Sequence, residues 1–185
     1  MSAEQRGTQQ HGTAQVPREC AAYGENGAED LAYDPEHCGR VVTAHDVISA
    51  PAATIFELIV DPARQAEWDG NDNLAHTDAG QRLSEIGQVF RMTLTNGKTR
   101  ENHVVEFVEG ELIAWKPSTI GEAPAGHLWR WSLAELPSGD VEVTHTYDWS
   151  QLTDQARTER ARSTSAEMLA SSIRGLKQLA ESLVP

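Results

Sequence analysis

Two histidines and one tyrosine have the residue type and spacing for proton transfer. His103 and His145 lie on the apolar parity of two alternating segments, RENHVVEFV and VEVTHTYDW. In a sheet covered on one side, that parity faces the interior. An imidazole can accept or donate a proton near neutral pH, and Tyr147 can orient a carbonyl or hydroxyl group. These three are the candidate catalytic residues; the simpler alternative is that they are hydrogen-bonded core residues.

Large apolar side chains on the same inward parity predict the wall of a pocket, because ligand pockets are mainly apolar with a few polar groups. Small residues beside Met168 in the last helix would leave room for a ligand above such a wall. The alternative is that the large aromatic side chains simply fill an ordinary core. Arg91 and Arg130 lie on the opposite, outward parity of their strands, so neither is predicted to line the pocket. The predicted ligand-binding residues are Trp68, Phe90, Met92, Val105, Trp115, Trp129, Trp131, Met168, Leu169 and Ile173.

Several motif-like segments do not meet the requirements of the motifs they suggest. TNGKT at residues 95–99 lacks the first glycine of a phosphate-binding loop and is explained by a hairpin turn. DGNDN at residues 69–73 has calcium-loop spacing, but Leu74 replaces the required glycine. No Ser-His-Asp order or nucleophile elbow is present in the sequence. We therefore expect neither a metal site nor a cofactor.

The elements that must position these residues can be read from the hydrophobic pattern. A strand over residues 41–49 is followed by a helix from Pro51 to Val60 and a second short helix over residues 63–68. About six antiparallel strands follow over residues 72–150, with Asn96-Gly97 as a hairpin turn. A single amphipathic helix is predicted over residues 153–183. This order indicates an α+β fold with about seven strands.

The first forty residues differ in composition from the rest. They contain few branched aliphatic residues, so they cannot bury enough apolar area to offset the entropy of ordering. We predict a flexible tail over residues 1–40 and one folded domain over residues 41–185. Cys20 and Cys38 both lie in the tail and are too few for a disulfide scaffold.

Composition excludes some classes of protein. The chain has 185 residues and a net charge of -13, which is the wrong sign for a duplex-binding protein. The predicted C-terminal helix, with Arg157, Arg160 and Arg162, is nearly neutral by contrast. No apolar stretch is long enough to span a membrane, and the N-terminus lacks the pattern of a secretory signal. We expect a cytoplasmic monomer or homodimer without stable membrane insertion and without a nucleic-acid partner.

The order of segments resembles that of a known group of proteins, the polyketide cyclase/dehydrase group of the START-like helix-grip (SRPBCC) superfamily. The resemblance covers residues 41–184 and implies a curved antiparallel sheet wrapped around a long C-terminal helix, with two short helices after the first strand. It also implies a hydrophobic cavity between sheet and helix. The segments that carry it are VISAPAATIFELIVDPARQAEWD, IGQVFRMTL, HVVEFVEGELIAW and HLWRWSLAELPSGDVEVTHTYDW.

Members of that superfamily include lipid carriers, hormone-binding proteins, aromatase/cyclases and chaperone activators, so the fold does not specify the reaction. The leading hypothesis is binding of a lipid, polyketide or similar apolar molecule, as a carrier or sensor. One alternative is a polyketide cyclase or dehydratase that uses His103, His145 and Tyr147. Another is an acidic module that binds a basic protein partner.

Overall fold

The computed structural model describes residues 39–184. The predicted tail, with Cys20 and Cys38, lies almost wholly outside the described residues. The strands are β1 (Val41–Ile48), β2 (Leu74–His76), β3 (Val89–Leu94), β4 (Thr99–Val108), β5 (Leu112–Ser118), β6 (Leu128–Glu135) and β7 (Val141–Asp148). The helices are α1 (Ala52–Val60), α2 (Gln65–Trp68), α3 (Thr158–Ser163) and α4 (Ala166–Ser182), with 3₁₀ turns at Pro62–Arg64 and Gln155–Arg157.

The strands form one seven-stranded antiparallel sheet in the order β1-β7-β6-β5-β4-β3-β2. From β2 to β7, each strand pairs with the strand that follows it in the sequence, and β1 pairs with β7 at the other end of the chain of strands. Together with the long helix packed on its concave side, this confirms the predicted α+β helix-grip architecture. Gly97 adopts φ 78° in the β3–β4 turn, the left-handed conformation that the predicted Asn-Gly hairpin requires.

The two short helices after β1 form where the sequence predicts them. Pro51 precedes α1, which buries an apolar face that includes Ile55 and Phe56. Asp61 ends α1 and caps the next turn by accepting a hydrogen bond from the Ala63 amide. The Trp68 indole N–H then donates to the Leu58 carbonyl oxygen at 3.1 Å, which fixes α2 against α1.

The C-terminal segment is interrupted, so the prediction of one continuous helix over residues 153–183 is wrong. Thr164 adopts extended backbone angles (φ -75°, ψ 115°) and separates α3 from α4. The hydroxyl groups of Ser163 and Thr164 both donate to the Arg160 carbonyl oxygen. Ser165 caps α4 by accepting from the Met168 amide. Consecutive Ser and Thr residues favour caps over helix interiors because their side chains compete for backbone hydrogen bonds.

Strand β4 contains a bulge that changes which residues face the interior. Its pairing with β5 shifts register between Val104 and Glu106. Phe107 packs against Phe56 in the core, with ring centroids 5.9 Å apart. The extra residue at the bulge offsets the alternation by one, so Asn102 and Val104 are the buried residues before it. Regular alternation counted from Phe107 therefore predicts the wrong parity for the first part of β4.

Candidate functional site

A cavity of about 720 Å³ lies between the concave side of the sheet and the helical segments. Strands β3 to β7 line it on one side, and α2, α3, α4 and the loop over residues 69–73 line the other. Exposed residues of the β3–β4 turn, including Asn96 and Lys98, belong to its lining, so the cavity opens to solvent there. Its volume falls within the range of roughly 300–1,000 Å³ that is typical of small-molecule sites.

The structure places most of the predicted ligand-binding side chains on this cavity. Val105 and Ile173 are the exceptions among the predicted set. Ile173 is fully buried in the core cluster. The prediction that Val105 faces inward is wrong. Val105 is the extra residue of the β4 bulge, and it lies on the outer face of the sheet beside Lys116 and Arg130. The predicted residues that do line the cavity are Trp68, Phe90, Met92, Trp115, Trp129, Trp131, Met168 and Leu169.

Aromatic rings on paired strands build a continuous wall. Trp131 of β6 stacks on His145 of β7, with ring centroids 3.7 Å apart and an interplanar angle of 12°. In the next inward pair, Trp129 stacks on Tyr147 at 4.2 Å. Both pairs are direct partners in the sheet register, which holds the rings in contact. Trp68 meets Trp131 edge-on at 5.3 Å, so the wall continues onto α2.

The inward histidines are kept neutral by their surroundings. Burial lowers the pKa of His145 to about 3, and a backbone hydrogen bond with Leu169 opposes this shift. Burial and the positive charges of Arg157 and Arg100 lower the pKa of His127 to about 4. Neither Nδ1 atom has a hydrogen-bond partner within residues 39–184. Burial also raises the pKa of the Tyr147 hydroxyl to about 12.

His103 does not join His145 and Tyr147, so the prediction that it faces the interior is wrong. It precedes the β4 bulge and lies opposite Val89 and Lys116 in the sheet register. Val89 is 47% exposed, which marks this as the outer face of β3 and β4. The His103 Nε2 atom lies 3.0 Å from the Ser118 hydroxyl oxygen. The structure thus brings together only two of the three candidate catalytic residues.

Sequence reasoning missed a group of arginines on the cavity. Arg100, Arg157 and Arg160 all belong to its lining, although they come from β4, a 3₁₀ turn and α3. Arg157 Nη2 and Arg100 Nη1 donate to the same Thr119 hydroxyl oxygen at 3.0 and 3.5 Å. The sequence does contain a signal for Arg100. Once the β4 bulge is recognised, Arg100 lies two residues from the buried Asn102 and therefore has the same inward parity. Nothing local in the sequence marks the other two.

The loop over residues 69–73 closes the cavity against α4. The Ser172 hydroxyl donates to the Asp69 carbonyl oxygen at 2.7 Å, and Asn71 Nδ2 donates to the Met168 carbonyl oxygen at 3.0 Å. Asp69 Oδ2 accepts from the Asn73 amide at 2.7 Å. The segment with calcium-loop spacing is therefore a hydrogen-bonded turn. Within residues 39–184, no three His, Cys, Asp or Glu side chains are grouped to hold a metal ion.

The model of one protein family, described as Activator of Hsp90 ATPase homolog 1-like protein (AHSA1), matches residues 49–181. The chain belongs to this family. The match begins just after β1 and ends in the last turn of α4, so it covers β2 to β7 and nearly all of the helical residues described above. The AHSA1-like match and the solved neighbours together confirm the resemblance to the polyketide cyclase/SRPBCC-type fold. None of the helices within residues 39–184 is long and apolar enough to cross a bilayer.

Two curated relatives are similar to part of this AHSA1-like chain. An uncharacterized protein of Mycobacterium tuberculosis strain H37Rv is 31% identical over 114 residues, which is 60% of this chain and 48% of the relative. A protein of strain CDC 1551, also uncharacterized, is 30% identical over 115 residues. The chain spans about half the length of the curated relatives it matches.

Solved structures share the fold at low sequence identity. Protein MLL2253 from Mesorhizobium loti superposes with a TM-score of 0.59 at 16% identity, over 79% of this chain and all (100%) of that one. The Aha1 dimer from Colwellia psychrerythraea gives 0.54 at 16% identity, over 76% and 96% of the two chains. DynU16, described as a putative protein in the dynemicin biosynthetic locus, gives 0.55 at 15% identity, over 77% and 48%. These similarities establish the AHSA1-like fold alone.

Proposed function

We propose that this domain binds an apolar small molecule, such as a lipid or a polyketide, in the cavity between the sheet and the C-terminal helices. The domain would act as a carrier or a sensor of that molecule. The observation that carries the proposal is the cavity of about 720 Å³ with a wall of stacked and edge-on aromatic rings.

The wall supports binding because its rings are already held in place. Trp129 is the partly exposed ring of the wall, and it stacks on Tyr147. Trp131 and Trp68 are 2% and 4% exposed and support the wall from the core, where they contact each other and Trp68 donates its hydrogen bond to Leu58. A rigid aromatic surface loses little conformational entropy when a ligand arrives. Each apolar group that leaves water for this surface contributes about 25 cal/mol per Å² of buried area.

Acid–base catalysis is less well supported by the same residues. A general base works best when its pKa lies near the pH of the reaction. The pKa of His145 is lowered to about 3 by burial, and that of Tyr147 is raised to about 12. At neutral pH both groups are uncharged hydrogen-bonding partners, which suits orientation of a ligand better than proton transfer. We therefore favour a binding role over the cyclase or dehydratase alternative.

Obstruction of the cavity tests the proposal. Met168 lines the cavity at the start of α4, whereas Gln178 is exposed on the same helix. We expect the wild-type protein to enhance the fluorescence of the neutral apolar probe N-phenyl-1-naphthylamine on binding. Met168→Trp should weaken binding by about tenfold or more, since added bulk in a packed site costs about 1–3 kcal/mol.

Gln178→Trp is the matched control, because it adds the same side chain outside the cavity and should leave probe affinity unchanged. Circular dichroism of both variants confirms that they are folded. Absence of probe binding to the wild-type protein, or equal losses in both variants, would contradict a ligand-binding cavity. Mass spectrometry of the native protein then identifies any small molecule that co-purifies with it.

The proposal also includes a cytoplasmic location and a monomeric or homodimeric state. Light scattering coupled to size-exclusion chromatography measures the second directly, because the chain mass is 20.3 kDa. A mass above that of two chains would contradict it. Fractionation of cells that express the full chain tests the location.

A further inference from the structure

We propose that the cavity selects an apolar carboxylic acid, with the carboxylate bound among Arg100, Arg157 and Arg160 and the apolar body against the aromatic wall. This inference rests on the proposed ligand-binding function and specifies the chemical class of the ligand. It derives from the arginine cluster, which we define as these three residues.

The arginine cluster is assembled from three separate elements. Arg100 lies on β4, Arg157 in the 3₁₀ turn before α3, and Arg160 on α3 itself, yet all three line one cavity. Three cations that converge on one cavity are unexpected in a chain of net charge -13. A guanidinium group presents a planar fork of N–H donors that matches the two oxygens of a carboxylate.

The positive charge of the cluster is only partly neutralised by the protein. Arg157 Nε pairs with Asp154 Oδ2 at 3.0 Å. Among the residues that the structure describes, Arg100 and Arg160 form no ion pair. Burial and the neighbouring charge of Arg157 lower the pKa of Arg100, although Glu122 acts in the opposite direction. An anionic ligand would relieve this like-charge repulsion.

The cluster lies at one end of the aromatic wall. Its charges act on His127, just before β6, and on Tyr147 near the end of β7. Further along the same two strands come Trp131 and His145, and beyond them the apolar core at Val143. A polar end that grades into an apolar interior suits an amphiphile with one anionic group.

Two acidic residues of the lining belong to a different part of the cavity. Asp69 and Asp72 lie in the loop that is hydrogen-bonded to α4. Asp69 Oδ2 accepts hydrogen bonds from the amides of Asn73 and Leu74, so this carboxylate is already engaged. The acidic side chains of the lining thus lie on the loop, whereas its basic side chains are the arginine cluster and Lys98 of the β3–β4 turn.

A pair of isosteric ligands tests the inference. 1-Naphthylacetic acid and 1-naphthylacetamide share an aromatic body and differ in the charge of the head group. We expect the acid to displace N-phenyl-1-naphthylamine with an affinity at least about tenfold above that of the amide, as a charge-assisted hydrogen bond predicts. Arg160→Gln and Arg100→Gln should each reduce the affinity for the acid severalfold and leave that for the amide unchanged.

Arg162→Gln is the matched control, since Arg162 is exposed on α3 but is not part of the cavity lining. Arg160 is also exposed, so its variant is expected to fold even if Arg100→Gln does not. Equal affinities of acid and amide, with the probe still bound, would overturn the carboxylate site and leave the proposed binding function intact. Absence of probe binding would overturn both. A loss in Arg162→Gln equal to that in Arg160→Gln would show a non-specific charge effect and also overturn the site.

Discussion

His145 illustrates how a single buried side chain takes its chemistry from its surroundings. The residue is 5% exposed and its ring lies flat on Trp131. A protonated imidazole in this position would lose its hydration without gaining a counter-ion, so the neutral form is strongly favoured. His127, beside the arginine cluster, is shifted in the same direction.

These two histidines should make the stability of the protein fall as the pH is lowered. The folded-state pKa values of about 3 for His145 and about 4 for His127 lie below the ordinary value of 6.5. The unfolded chain therefore takes up protons first as the pH falls below about 6.5, which favours unfolding. At pH 5 the loss should be at most about 2 kcal/mol for each histidine.

Urea denaturation at a series of pH values from about 7 to about 5 measures this effect, while most carboxylates remain ionised. His145→Gln should reduce the pH dependence by about half, since one of two titrating groups is removed. His76→Gln is the control, because His76 is exposed. An unchanged slope in His145→Gln would show that His145 takes up its proton as readily in the folded protein as in the unfolded chain.

At the scale of elements, close backbone contacts fix the position of α4 and hence one side of the cavity. A Cβ atom on Gly175 would lie 2.3 Å from the Trp68 carbonyl oxygen. A Cβ atom on Gly70, which has φ +70°, would lie 2.5 Å from the Ser171 carbonyl oxygen. Glycine at both positions allows α2 and the following loop to approach α4 closely enough for the hydrogen bonds to Ser172.

Gly175→Ala should therefore destabilise the protein, although alanine is favoured over glycine within a helix by about 1 kcal/mol. The added methyl group meets backbone atoms, and we expect a net loss of about 1–3 kcal/mol in the free energy of unfolding. Gln178→Ala, at an exposed position of the same helix, is the control and should be neutral or slightly stabilising. A gain in stability for Gly175→Ala would show that α4 does not pack this closely on α2.

At the scale of the whole molecule, acidic side chains outnumber basic ones by 28 to 15, which gives the net charge of -13. Ion pairs such as Arg82 with Glu57 and Glu109 neutralise it locally. Exposed pairs of this kind contribute little to stability, at about 0–1 kcal/mol each. Repulsion between the remaining acidic groups therefore opposes the compact state.

Added salt should stabilise the protein, because it screens this repulsion more than it weakens the exposed ion pairs. Between about 0.01 and 0.5 M sodium chloride, the Tm should rise by a few degrees in thermal unfolding. A double variant with Glu85→Lys and Glu135→Lys, both at exposed positions, makes the net charge less negative and should show a smaller rise in Tm. A Tm that falls with salt would show that ion pairs outweigh the repulsion.

The fold was largely predictable from sequence because its determinants are local. Alternating apolar residues define the strands, Asn96-Gly97 the hairpin, and Asp61-Pro62 the boundary between the first two helices. The break at Thr164 is not predicted, because residues 153–183 contain no proline and no interior helix breaker except Gly175. There, hydrogen bonds of Ser163, Thr164 and Ser165 decide against continuation of the helix.

By itself, the sequence determined the order of elements, the α+β architecture and the inward parity of β3, β6 and β7, since regular strands alternate with a period of two. Only the tertiary structure revealed the β4 bulge, which turns His103 and Val105 outward and Arg100 inward. It also decided that Arg157 and Arg160 line the same cavity as Arg100, and that burial keeps His145 neutral. Such contacts and pKa shifts depend on which distant segments pack together, and no local pattern records that.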